Sequence, residues 1–148
     1  MARLSKAGIG FNGLVESIST SLQEWHPGIL STQTAYSNAL AEHLRLTLPE
    51  DARVEREYRH EGTTCDLCIR YTGLIASDML MIEVKRNLRR KSDYDRLVGQ
   101  VEGLKPRKNK ILVILVGETD PALLGRLREQ FKDYEGFGES TFKIVVVT

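Results

Sequence analysis

The chain predicts an α/β fold: a mixed central β-sheet flanked by helices. Three observations lead there. Residues Ile111-Leu112-Val113-Ile114-Leu115-Val116 form a continuous apolar run, the pattern of a strand covered on both faces. Residues 53–60 and 64–71 read as two strands joined by the turn residues Glu61-Gly62, an antiparallel hairpin. Beyond them, strand and helix patterns alternate, which calls for a parallel pair at the sheet centre.

The elements follow in order. Residues 11–24 can form an amphipathic helix, broken by Trp25-His26-Pro27-Gly28. Ser31 or Thr32 can cap a second helix running to about Leu46, with Tyr36, Ala39, Leu40, His43 and Leu44 on one face at helical spacing. His43, centred on that face, reads as a core histidine. After the hairpin, residues 78–85 read as a third and more buried strand. Ser92 can cap a helix from Asp93 to about Leu104, in which Leu97, Val101 and Leu104 share a face. Asp120-Pro121 is a cap followed by a proline at the first helical position, opening a helix to about Phe131. Residues 143–147 supply a last strand. Residues 1–30 then read as an N-terminal helical extension and 31–148 as the main domain.

Composition bounds the functional classes. The 148 residues are 41% hydrophobic and 28% charged with a formal net charge of +1, which suits one globular domain without a global pull on nucleic acid. No apolar run reaches the length of a membrane span, and no secretory signal is expected, so no membrane partner is predicted. Two cysteines, Cys65 and Cys68, are too few for a disulfide scaffold and point to a cytoplasmic location. Three apart on a strand, they should face opposite sides as plain buried thiols. The charge is unevenly spread: from Lys85 to Lys110 there are ten Lys or Arg against three Asp or Glu. A basic stretch of that kind suits a polyanion-binding face.

Chemistry concentrates on the third strand. Glu83 and Lys85 are two apart and share one face, while Ile82 and Val84 point into the core. A carboxylate and an ammonium on an otherwise apolar strand are costly unless they serve each other or a ligand. Asp66 lies in the preceding strand, between Cys65 and Leu67. If the two strands pair, Asp66 and Glu83 converge, and a hard divalent cation relieves their repulsion. The Val84 carbonyl can add an oxygen, and Lys85 can orient water or steady charge on a phosphate. Gln100 falls on the inward face of the following helix, where its amide needs a partner. Arg86, Arg89, Arg90 and Lys91 continue from the strand end that carries Lys85 and would attract phosphates there.

The set Asp66…Glu83-Val84-Lys85…Gln100, in an αβββαβ frame over about residues 32–117, resembles the PD-(D/E)XK nuclease superfamily, the restriction-endonuclease-like fold. That resemblance implies a Mg2+-dependent phosphodiesterase, with Mn2+ as substitute, acting on DNA and less often RNA. It implies Asp66 and Glu83 as metal-binding acids, Lys85 as the catalytic lysine and Gln100 as the glutamine some branches carry. Cys65-Asp66 stands where Pro-Asp is usual. Many members add a glutamate on the helix before the first strand: Glu42 is the preferred candidate, with Glu57 and Glu55 as rivals. The small size makes a homodimer plausible, with the 11–24 helix contributing to it. The same fold without catalysis, kept as a nucleic-acid- or protein-binding module, is the alternative.

Overall fold

The structure, a computed structural model, describes Arg3 and residues 13–72, 77–135 and 141–148. Its elements in chain order are α1 (Leu14–Ser21), α2 (Gln33–Thr47), β1 (Arg53–His60), β2 (Thr63–Thr72), β3 (Ser77–Leu88), α3 (Lys91–Gly103), β4 (Lys110–Thr119), α4 (Pro121–Gln130) and β5 (Phe142–Val146). Short 3-10 turns follow α1 and α4.

The five strands form one mixed sheet in the order β1-β2-β3-β4-β5. β1, β2 and β3 pair antiparallel, whereas β3, β4 and β5 pair parallel. The expected mixed α/β sheet flanked by helices is therefore present. β4 lies inside it and is apolar on both faces: Leu112, Ile114 and Val116 enter one core layer, Ile111, Val113 and Leu115 the other. The first layer holds Leu14, Val15 and Ile18 of α1 and Tyr36, Leu40 and Leu44 of α2. The second holds Leu97 and Val101 of α3 and Leu123 and Leu127 of α4. Among the described residues, no helix is long and apolar enough to cross a membrane.

Local chemistry sets the element ends. Thr32 caps α2, its side chain accepting from Ala35 N at 3.0 Å. Asp120 caps α4, accepting from Ala122 N at 2.8 Å, with Pro121 leading the helix. α3 begins earlier than Ser92 suggests: Arg90 occupies the cap position without a side-chain cap, and the helix starts at Lys91. His43 is buried and its Nε2 lies 3.1 Å from the Ser21 carbonyl, so it ties α2 to α1 as a core histidine. Burial lowers its pKa.

α1, within the N-terminal helical extension, packs on the sheet. Leu14, Val15 and Ile18 are almost fully buried in the same layer as β3 and β4, because this short helix has an apolar face that the sheet covers. Residues 11 and 12 of the anticipated helix lie outside the described residues.

Candidate metal and phosphate site

The site forms where the β2–β3 ladder stops. Antiparallel pairing runs from Thr72↔Ser77 down to Leu67↔Ile82. The next rung would set Asp66 opposite Glu83. Instead, side chains take over the hydrogen bonds: Asp66 N donates to Glu83 Oε1 at 3.3 Å, and Val84 N donates to Asp66 Oδ2 at 2.8 Å. The two acids predicted from the sequence are thus cross-tied through each other's strand. The second oxygen of each carboxylate accepts from no described residue.

The neighbouring strand is interrupted at the same level. The β1–β2 register is the same on both sides, Arg56↔Leu67 and Tyr58↔Cys65, but Glu57 between them is unpaired and has φ 52°. A glutamate in the left-handed region is unusual. The strands change face there: Val54 packs with the α1/α2 layer and Tyr58 with the α3/α4 layer, although strict alternation would put them together. Leu67 and Cys65 change sides in the same way. Cys65 and Cys68 consequently share one layer, contrary to the expectation from alternation. Both are buried free thiols, pushed up chiefly by burial to about 12 and about 11.

The electrostatics of the acids follow from their setting. Glu83 is only 5% exposed. Burial, and then the charge of Asp66, push its carboxyl up to about 8, against the pull of the Asp66 N–H. Burial also raises Asp66, opposed by the Val84 N–H and the Arg56 guanidinium and reinforced by Glu57. Without a counter-charge the pair holds its protons unusually tightly.

Lys85 lies half-buried beyond Glu83 and pairs with Asp93 in the first turn of α3, Nζ to Oδ1 at 3.3 Å. Arg90 Nε approaches the other oxygen of Asp93 at 3.6 Å. The charges of Lys85 and Arg90 and their hydrogen bonds outweigh desolvation, the largest single influence, and lower the Asp93 pKa. Lys85, Arg86, Arg89 and Arg90 line a cavity of about 600 Å³ together with Asp93 and Gln33. Of the four cations expected to meet phosphate, Arg86 is also structural: its N–H donates to Gln33 Oε1 at 3.3 Å and its Nε to the Leu30 carbonyl at 3.1 Å. Arg89 pairs with Glu118, and Lys91 with Asp95, both at the surface. Exposed pairs of this kind are weak.

The remaining candidates are placed unequally. Gln100 is half-buried and its Nε2 donates to the Thr64 carbonyl at 3.3 Å, fixing α3 against β2 two residues before Asp66. Glu42 lies on the exposed side of α2, away from the face that α2 turns to the sheet. Glu55 pairs with Arg70. Glu57, the rival acid, is close enough for its charge to act on Asp66. Sequence reasoning missed Gln33, Asp93 and Asn87. Asn87, at φ 56°, accepts from Glu118 N at 2.9 Å and bends the end of β3 beside the cavity. An asparagine within a strand pattern was the available signal, since asparagine tolerates the left-handed region.

Among the described residues, no group of three or more His, Cys, Asp and Glu side chains comes together as a metal-ligand set. Asp66 and Glu83 nevertheless suit a hard cation. Mg2+ is commonly held by one or two carboxylates, with water and phosphate completing its shell. The second oxygens of the half-buried Asp66 and buried Glu83 carboxylates, with the Val84 carbonyl, are donors of that class. The chain matches no family model, no curated protein and no solved structure, so the geometry of the site alone bears on function.

Proposed function

We propose that the protein is a metal-dependent nuclease of the PD-(D/E)XK type, with a restriction-endonuclease-like core, hydrolysing phosphodiester bonds in DNA. The observation that carries this reading is the cross-tied pair of half-buried Asp66 and buried Glu83, two carboxylates at a break in the sheet, next to Lys85 and a basic cavity. Asp66 and Glu83, with the Val84 carbonyl, would hold Mg2+ or Mn2+. A bound ion of this kind supplies a water of lowered pKa and polarises a phosphoryl oxygen. Lys85 sets a positive charge beside the scissile phosphate, and Asp93 holds the Lys85 ammonium in place. Arg89, Arg90 and Lys91 draw the backbone in without reading sequence. Gln100 acts through the backbone of β2, as a positioning residue.

One observation favours the second reading, a binding module on the same fold: Lys85 makes its ion pair with Asp93 and not with Asp66 or Glu83. The two readings separate in one assay. Purified protein is incubated with Mg2+ or Mn2+ and plasmid, single-stranded, flap or four-way-junction DNA. Cleavage that disappears in both Asp66→Ala and Lys85→Ala, with melting temperature preserved, supports the nuclease. Binding without cleavage of any substrate leaves only the binding module.

A further inference from the structure

A second cavity, of about 650 Å³, adjoins the basic one and shares Arg86, Asn87 and Arg89 with it. It opens at the C-terminal ends of the parallel strands β3 and β4, where open α/β sheets bind ligands. Its character is different. Val116 and Val147 come from the sheet side, and Pro27, Ile29 and Leu30 from the segment before α2. Ile29 is 99% exposed, a large apolar side chain left in water at the mouth of an apolar cavity.

The wall that carries Ile29 is braced in advance. Tyr36 Oη accepts from Leu30 N at 3.0 Å and donates to the Gly28 carbonyl at 3.2 Å. Arg86 Nε holds the Leu30 carbonyl from the other side at 3.1 Å. Gly28, at φ +75°, makes the bend that this wall needs. A preformed wall lowers the ordering cost of binding.

An apolar slot sharing two arginines with a cationic cleft is complementary to a ligand in which a flat apolar ring is joined through a short spacer to an anion. A nucleotide has that form. We propose that this pocket receives an unpaired nucleobase from the strand whose phosphate lies in the adjoining Lys85–Arg90 cavity, so that the protein selects DNA with unpaired nucleotides beside the bound phosphate. The base packs on Val116, Val147 and Ile29 while Arg86 and Arg89 stand between base and phosphate. A base held in a duplex cannot enter without being unstacked, which costs binding energy. The inference rests on the nucleic-acid reading above and adds the substrate class.

The test is equilibrium binding in EDTA, by fluorescence anisotropy, to three labelled DNAs of equal length: a duplex, a single strand, and a duplex with one unpaired nucleotide. The wild-type protein should bind the last two about tenfold more tightly than the duplex, the order expected for one stacked base. Ile29→Asp, at a fully exposed position that the fold does not need, should bring that ratio close to one. Ile29→Trp should keep or raise it. A 2-aminopurine at the unpaired position should change its fluorescence on binding. Equal affinity for all three DNAs overturns the pocket while leaving the nucleic-acid reading intact, as does a ratio that survives Ile29→Asp. Failure to bind any of them overturns both.

Discussion

Replacing Glu83 with glutamine should stabilise the metal-free protein at neutral and alkaline pH while abolishing cleavage. In the fold, burial and the nearby Asp66 charge lift the Glu83 carboxyl from 4.5 to about 8. The folded state therefore binds this proton more tightly than the unfolded chain does. The resulting stability is complete below the unfolded value of 4.5 and is lost as pH rises through about 8. At about 1.36 kcal/mol for each pKa unit, the full loss is roughly 5 kcal/mol, shared between two coupled carboxyls. Glutamine keeps the shape and the Oε1 acceptor for Asp66 N–H but has no charge to desolvate. For a chain of this size, about 2–4 °C accompany each kcal/mol, so Glu83→Gln should melt roughly 5–10 °C above wild type near pH 8 in EDTA. The two proteins should converge near pH 5. Circular dichroism melts across that range check this. Parallel curves, or a variant that melts lower at pH 8, would refute the buried, proton-holding Glu83. Adding Mg2+ should then stabilise wild type more than the variant, because only wild type offers both carboxylates.

Three further outcomes follow from neighbouring contacts. Asp93→Asn removes the charge that faces Lys85 and Arg90, so cleavage should fall roughly tenfold to a hundredfold through a displaced lysine, with partial recovery in Asp93→Glu. Gly117→Ala should cost about 1–3 kcal/mol in urea unfolding, since Gly117 has φ +71° and a Cβ there would overlap Asn87 Oδ1. Cys65 and Cys68, with burial raising them to about 12 and about 11, should resist a thiol reagent at pH 8 in the native protein and react once it is denatured.

What was legible in the sequence was whatever periodicity or capping chemistry encodes locally. The apolar run at residues 111–116, the Asp120-Pro121 start and the Thr32 cap each carry their own physical signal, and the structure has β4, α4 and α2 there. Asp66 and Glu83 were legible as a pair because hairpin pairing brings them level. The left-handed turn of Glu57 was not, since no local preference of glutamate favours it, and the crossing of Cys65 to the layer of Cys68 follows from that turn. Asp93 read as an ordinary acid in a first helical turn. Its role depends on where β3 delivers Lys85, a tertiary fact. Gln33 was hidden for the same reason: its partner, Arg86 N, is 53 residues away.

The break in the sheet carries a cost that packing does not return. A hairpin that continued its ladder past Leu67↔Ile82 with apolar side chains would bury no carboxyl and would need no left-handed glutamate. The protein instead gives up a rung, buries Glu83 and places a second acid against it. Left-handed glutamate alone costs on the order of 1–3 kcal/mol. Nothing in the core is gained in return, because Leu67 and Ile82 are already fully buried on one side of the break and Cys65 and Val84 on the other. Strain and desolvation concentrated at one point, between two acids and a half-buried lysine, are what a ligand can relieve. On the proposed metal-dependent reading, a cation between the carboxylates would replace the protons they otherwise hold, and the cost carried by the fold would become affinity for the ion.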